Sequence, residues 1–285
     1  MPYFKHDHLE FHYLERGSGM PFFFQHGLGG DTEKIFALVE LPDGFRLLGL
    51  DCRAHGKSTP LGQAEKLRFD TFADDLVALM DKLKIPRAIF GGTSMGAGVA
   101  LNCALRHSER ALGLVLLRPA WLDAPNQANA KLFGLIAQLL RSHGPTLGWK
   151  HFAMTEAYAS VASQSLDTAE SLRGLFQDPG ALEAVARLEQ IPQDAPNFDR
   201  AAWRRVSIPT LVLATRHDPV HPFEYGQVLA REIPGAQFQE LTPKSVNLTQ
   251  YTSELRQSLA RFLQAEFPAH SNPFLAKDEP RHPSL

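Results

Sequence analysis

Short apolar runs alternate with amphipathic stretches along most of the chain. Residues 9–14 and 21–25 read as two strands around a turn at 15–19, and Phe22-Phe23-Phe24 is apolar without a break, as in a strand covered on both faces. Further strands are expected at 45–50, 87–92, 111–117, 209–215 and 236–241. Between them lie helical periods. Over 69–83, Phe72, Leu76, Leu79, Met80 and Leu83 share one face while Asp74, Asp75, Asp81 and Lys82 fall elsewhere; 95–107, 222–233 and 252–267 are also expected to be helical. Alternating strands and helices imply an α/β protein with a mostly parallel central sheet flanked by helices. From Pro119 to Arg205 the alternation stops. Helices are expected at 132–140, 153–162, 172–176 and 181–188, with no strand among them. The chain thus divides into a core of 1–118 and 206–268, an inserted helical cap of 119–205, and a flexible, Pro- and charge-rich tail of 269–285.

Composition supports a sizeable core, with 44% hydrophobic and 21% charged residues in 285. A formal net charge of −2 gives no reason to expect nucleic acid or an anionic membrane as partner. The first eight residues lack an apolar signal region, and no stretch approaches the ~18 apolar residues of a membrane span. Two cysteines, Cys52 and Cys103, do not make a disulfide framework, so reduced thiols and a cytoplasmic location are expected.

The chemistry gathers at strand ends. The strand at 87–92 runs into Gly92-Thr93-Ser94-Met95-Gly96, a G-x-S-x-G turn that would lift the Ser94 hydroxyl above the sheet at a helix N-terminus. His26-Gly27-Leu28-Gly29-Gly30 follows the strand at 21–25, Asp51-x-Arg53-x-His55-Gly56-x-Ser58 follows 45–50, and Arg216-His217-Asp218-x-x-x-Pro222 follows the strand after the insert. In this order, at these strand ends, the motifs resemble those of the α/β-hydrolase family. The resemblance implies the α/β-hydrolase fold, with Ser94 as nucleophile and backbone N–H groups of Leu28 and Met95 as oxyanion hole. Asp218 would be the acid that orients an imidazole, while His26, Gly27, Gly92 and Gly96 would support the site. Asp51, Arg53 and His55 would form scaffold. No metal or organic cofactor is implied.

One part is missing. The family's histidine follows the last strand, but Thr242-Pro243-Lys244-Ser245-Val246-Asn247 contains none, and Val246 or Asn247 stands about where it belongs. Three resolutions are open. Another histidine could serve, His221 more readily than His217, because it lies three residues past the acid. Lys244, or more remotely Tyr251, could be the base, which for lysine needs a depressed pKa and hence burial. Or the chain could be an impaired enzyme or a non-catalytic ligand-binding protein on this fold. The expected activity is hydrolysis of a carboxylic ester or related acyl compound through an acyl-enzyme, with C–C hydrolysis or a perhydrolase-like activity as alternatives. The partner is a small molecule, and cap residues Trp121, Leu132, Phe133, Ile136, Trp149 and Phe152 suggest an apolar one.

Overall fold

The computed structural model of the protein describes residues 2–268; the tail expected at 269–285 lies outside the described residues. Its eight strands are β1 (Tyr3–His6), β2 (Leu9–Gly17), β3 (Met20–Gln25), β4 (Phe45–Leu50), β5 (Ala88–Thr93), β6 (Ala111–Leu117), β7 (Thr210–Thr215) and β8 (Gln237–Leu241). They form one sheet in the order β1-β2-β4-β3-β5-β6-β7-β8. β1–β2 and β2–β4 pair antiparallel and every later pair is parallel, with Phe24 opposite Gly91, Gly92 opposite Leu116, and Leu116 opposite Val212.

The unbroken apolar strands sort their side chains to two faces. Phe23, Phe90, Leu114, Leu116 and Val212 join the core that packs α2 (Phe69–Lys82) and α3 (Met95–Arg106) against the sheet. Phe22, Phe24, Ile89, Val115, Leu117, Leu211 and Leu213 join the opposite core, with α1 (Thr32–Leu38) and α9 (Leu248–Glu266). Each fully buried Phe contributes about 1.5–3 kcal/mol, so both layers hold the strand ends that carry the motifs.

Between β6 and β7 the chain is helical: α4 (Gln127–Ala153), α5 (Glu156–Gln164), α6 (Leu166–Gln177) and α7 (Ala186–Gln190). α4 is two helices broken at Gly144, where φ is +69° and Pro145 follows. α8 (Phe223–Glu232) lies between β7 and β8.

α4 and α6 run well beyond the helices expected at 132–140 and 172–176, and three further elements differ from expectation. β1 is a four-residue edge strand too short for a periodic signal. α1 grows out of the Gly-rich loop because Asp31 caps it, accepting from the Lys34 N–H at 2.8 Å. The helix expected at 181–188 is a turn until Ala186.

Candidate active site

The G-x-S-x-G turn is as tight as its glycines suggest. Ser94 joins β5 to α3 at φ +57° and ψ −116°, a conformation that costs on the order of 1–3 kcal/mol for a residue with a Cβ. A Cβ on Gly92 would lie 2.3 Å from the Gly96 carbonyl carbon, and one on Gly96 would lie 2.2 Å from the Gln25 carbonyl oxygen. The turn is tied to the next strand by the Ser94 N–H, which donates to the Leu117 carbonyl at 2.9 Å. Met95 opens α3, so its N–H has no partner within the helix. Neither it nor the Leu28 N–H donates to an acceptor among the described residues. Gly27 packs so closely that a Cβ there would lie 3.2 Å from Ser94 Cβ.

The loops after β3 and β4 are held rigidly. His26 is buried; its Nδ1 donates to the Gly27 carbonyl at 2.9 Å, and its Nε2 accepts the Cys52 N–H at 3.0 Å. With both nitrogens engaged, the ring braces one loop against the other, and burial pushes its pKa down. Asp51 accepts from the Thr32 N–H and hydroxyl, the Lys57 N–H and His12 Nδ1 at 2.7–2.9 Å. Arg53 makes a bidentate pair with Asp75 and a second ion pair with Asp7. His55 donates from Nδ1 to the Arg53 carbonyl, which leaves a buried Nε2 lone pair with no donor among the described residues. These residues scaffold the strand ends.

Across the sheet, Asp218 and His221 meet within one loop. His221 Nδ1 donates to Asp218 Oδ2 at 2.9 Å, and the His221 N–H lies 3.3 Å from Oδ1. His217, at φ +55°, is exposed. Two residues not singled out from the sequence complete the carboxylate's shell. Arg118, just past β6, donates to Oδ2 from Nε at 2.9 Å and from Nη2, while Thr168 of α6 donates its hydroxyl to Oδ1 at 3.2 Å. Burial works to raise the Asp218 carboxyl, but the His221 and Arg118 charges and hydrogen bonds outweigh it and hold it far below the ordinary carboxylate range. Burial also lowers His221; Asp218 opposes this, and Arg118 and Lys244 reinforce it. Among the described residues no hydrogen bond joins the Ser94 hydroxyl to His221, a contact that often tightens only with substrate in place.

The loop after β8 carries Val246 and Lys244 in different surroundings. Val246 is 70% exposed. Lys244 is the residue turned inward: its Nζ lies 3.9 Å from Asp167 Oδ2 and 5.2 Å from the centre of the buried Tyr251 ring. Burial and then the Arg118 charge depress the Lys244 pKa, whereas burial pushes the Tyr251 phenol up to about 12.

A cleft of about 950 Å³ lies between the core loops and α6, floored by Gly27–Gly30 and walled by Ser171, Gly174 and Gln177. Its lining mixes charged side chains, Asp31, Lys34, Lys57 and Glu170 among them, with apolar ones, Leu28, Leu61 and Ala184. None of Trp121, Leu132, Phe133, Ile136, Trp149 and Phe152 lines this cleft. Phe133, Ile136 and Phe152 are buried in the cap's own core with Leu132 and Trp149 packed on it, and Trp121 packs edge-on against Phe69. No three His, Cys, Asp or Glu side chains among the described residues are grouped to hold a metal ion. No helix among them is long and apolar enough to cross a membrane.

A family model described as the alpha/beta hydrolase fold matches residues 20–245. The 3-oxoadipate enol-lactonase 2 of Acinetobacter baylyi is 31% identical over 195 residues, covering 67% of this chain and 68% of its own. Among solved structures, an esterase from Thermogutta terrifontis, with malate bound, is 26% identical with a TM-score of 0.67, covering 89% of this chain and 94% of its own. The enol-lactonase of Burkholderia xenovorans LB400 shares the fold at a TM-score of 0.71 and 24% identity, covering 92% of this chain and all of its own. The chain belongs to the α/β-hydrolase family, whose named relatives here are hydrolases.

Proposed function

We propose that the protein is a serine hydrolase of carboxylic esters or related acyl compounds, with His221 in place of the histidine missing after β8. The observation that carries this reading is the 2.9 Å contact of His221 Nδ1 with Asp218, which orients the imidazole and leaves Nε2 as its free nitrogen, at the carboxyl edge of the sheet that also carries Ser94. Ser94 Oγ attacks the acyl carbon as His221 Nε2 takes its proton. The Leu28 and Met95 N–H groups receive the oxyanion. The tetrahedral intermediate collapses, the leaving alkoxide departs with that proton, and water attacks the acyl-enzyme by the same route to release the acid.

A second reading has a specific observation behind it: Lys244 is turned inward and its pKa is depressed, as a lysine base requires. A fluorophosphonate probe separates the two. Ser94 is expected to be labelled in wild type and in Lys244→Met, and labelling is expected to slow by about 10²–10⁴ in His221→Ala. Labelling lost with Lys244 and kept without His221 would transfer the role to the lysine. A folded wild-type protein that never labels would overturn both and leave a ligand-binding role.

A further inference from the structure

The Asp218 carboxylate has two claimants. Its Oδ2 accepts from His221 Nδ1 at 2.9 Å and from Arg118 Nε at 2.9 Å, with Arg118 Nη2 a further donor. Oδ1 takes the Thr168 hydroxyl and the His221 N–H, so donors surround both oxygens. A carboxylate oxygen only accepts, so Nδ1 must carry the hydrogen of its bond to Asp218. Arg118 Nη2, 3.3 Å from that nitrogen, then presents a cation to an N–H. Protonation of Nε2 would put a second positive charge on the ring beside this guanidinium. In a Ser-His-Asp arrangement the acid's charge is held for the imidazolium; here a permanent cation shares it.

The other groups packed around His221 do not replace Arg118. From α6, Asp167 lies 3.8 Å from Arg118 Nη2 and 3.9 Å from Lys244 Nζ, so its charge is divided between two cations. From the loop after β8, Lys244 adds to the positive side. Tyr251 of α9 is a buried neutral phenol.

We propose that Arg118 is a positioning residue that clamps Asp218 from the β6 side and keeps His221 an unprotonated imidazole, the form a general base needs. This rests on His221 being the base. The anchor is built in: Arg118 sits at φ +46°, and its N–H donates to the Leu213 carbonyl at 2.7 Å, fixing the end of β6 to β7. The expected consequence is a site that stays competent to lower pH than an Asp–His pair without the arginine, because the clamp opposes proton uptake on the ring.

The test uses the full chain with ¹³C-labelled histidine, the His221 signal being assigned by its loss in His221→Gln. In Arg118→Met the His221 titration midpoint is expected to rise by about one pH unit or more, and the acid limb of Ser94 labelling by a fluorophosphonate to move with it. Arg118→Gln, which can still donate to Asp218 but carries no charge, should move the midpoint the same way. Arg118→Lys, which keeps the charge, should hold it near the wild-type value. Folding is followed by circular dichroism. An unmoved midpoint in folded Arg118→Met or Arg118→Gln, or a Lys variant that titrates like them, overturns the proposal. If Ser94 never labels, the hydrolase reading falls, while the titration still decides what Arg118 does.

Discussion

Two buried Asp–His pairs sit at the carboxyl edge of the same sheet with nearly the same geometry. His12 Nδ1 meets Asp51 at 2.8 Å and His221 Nδ1 meets Asp218 at 2.9 Å. They differ in what answers the carboxylate's charge. Around Asp51 it is mostly dipoles: the Thr32 and Lys57 N–H groups and a hydroxyl. Around Asp218 it is a guanidinium. A charge answered by backbone cannot be edited without disturbing the fold, and His12 is completely buried, so that pair is architecture. A charge answered by one side-chain cation can be tuned by substitution, and the His221 side chain retains some exposure. An Asp–His distance is therefore no mark of catalysis by itself.

The largest expected contrast is in reactivity. Fluorophosphonate labelling should fall by about 10²–10⁴ in His221→Ala and stay within about twofold in folded His12→Gln; equal losses would erase the distinction. Stability comes next. Asp51→Ala should cost about 3–5 kcal/mol, because several buried donors lose their acceptor together. Asp218→Leu should cost a similar ~3–5 kcal/mol by stranding Arg118, but Arg118→Met/Asp218→Leu should recover most of it. Urea unfolding of the single and double variants measures this; a double variant no better than Asp218→Leu would mean the pair is not separable from the fold.

The pH dependence follows from the histidines. Burial holds His26, His55 and His221 below their ordinary value in the folded state. The unfolded chain therefore binds more protons once pH falls below the ordinary histidine value of about 6.5, and stability should drop from there toward their folded pKa values. The Asp218 contribution has the same sign at lower pH: it is present above the ordinary carboxylate value and is lost progressively as pH falls from there toward its much lower folded value. Urea midpoints from pH 8 to 5 test the histidine share, which should shrink in Arg118→Met. The smallest effect is expected at Thr168→Val, about 1 kcal/mol, from one hydrogen bond between cap and acid.

Much of this was legible in the chain. Phe22-Phe23-Phe24 announced a strand covered on both faces, and each loop with chemistry followed such a strand. Ser94 was marked by Gly92 and Gly96, whose absent Cβ atoms leave the only room for the turn. Pairing of Asp218 with His221 could be suspected from their spacing. Arg118 was less visible, although a charged residue directly after an apolar strand was a signal that could have been weighed. Thr168 and Asp167 could not be placed, because the route of the cap helices over the core depends on packing between segments far apart in sequence. Counting back to a vacant histidine gave Val246, but which loop residue turns inward was decided by the Pro243 turn, whose carbonyl accepts the Val246 and Asn247 N–H groups.

The elbow has a practical side. At φ +57°, Ser94 is held where glycine would rest with less strain. A laboratory selecting variants for heat resistance alone would thus be rewarded for discarding this hydroxyl, and on the mechanism proposed above a hardened, inert protein would win. Any effort to toughen the molecule has to score turnover alongside survival, or it will breed out the proposed nucleophile.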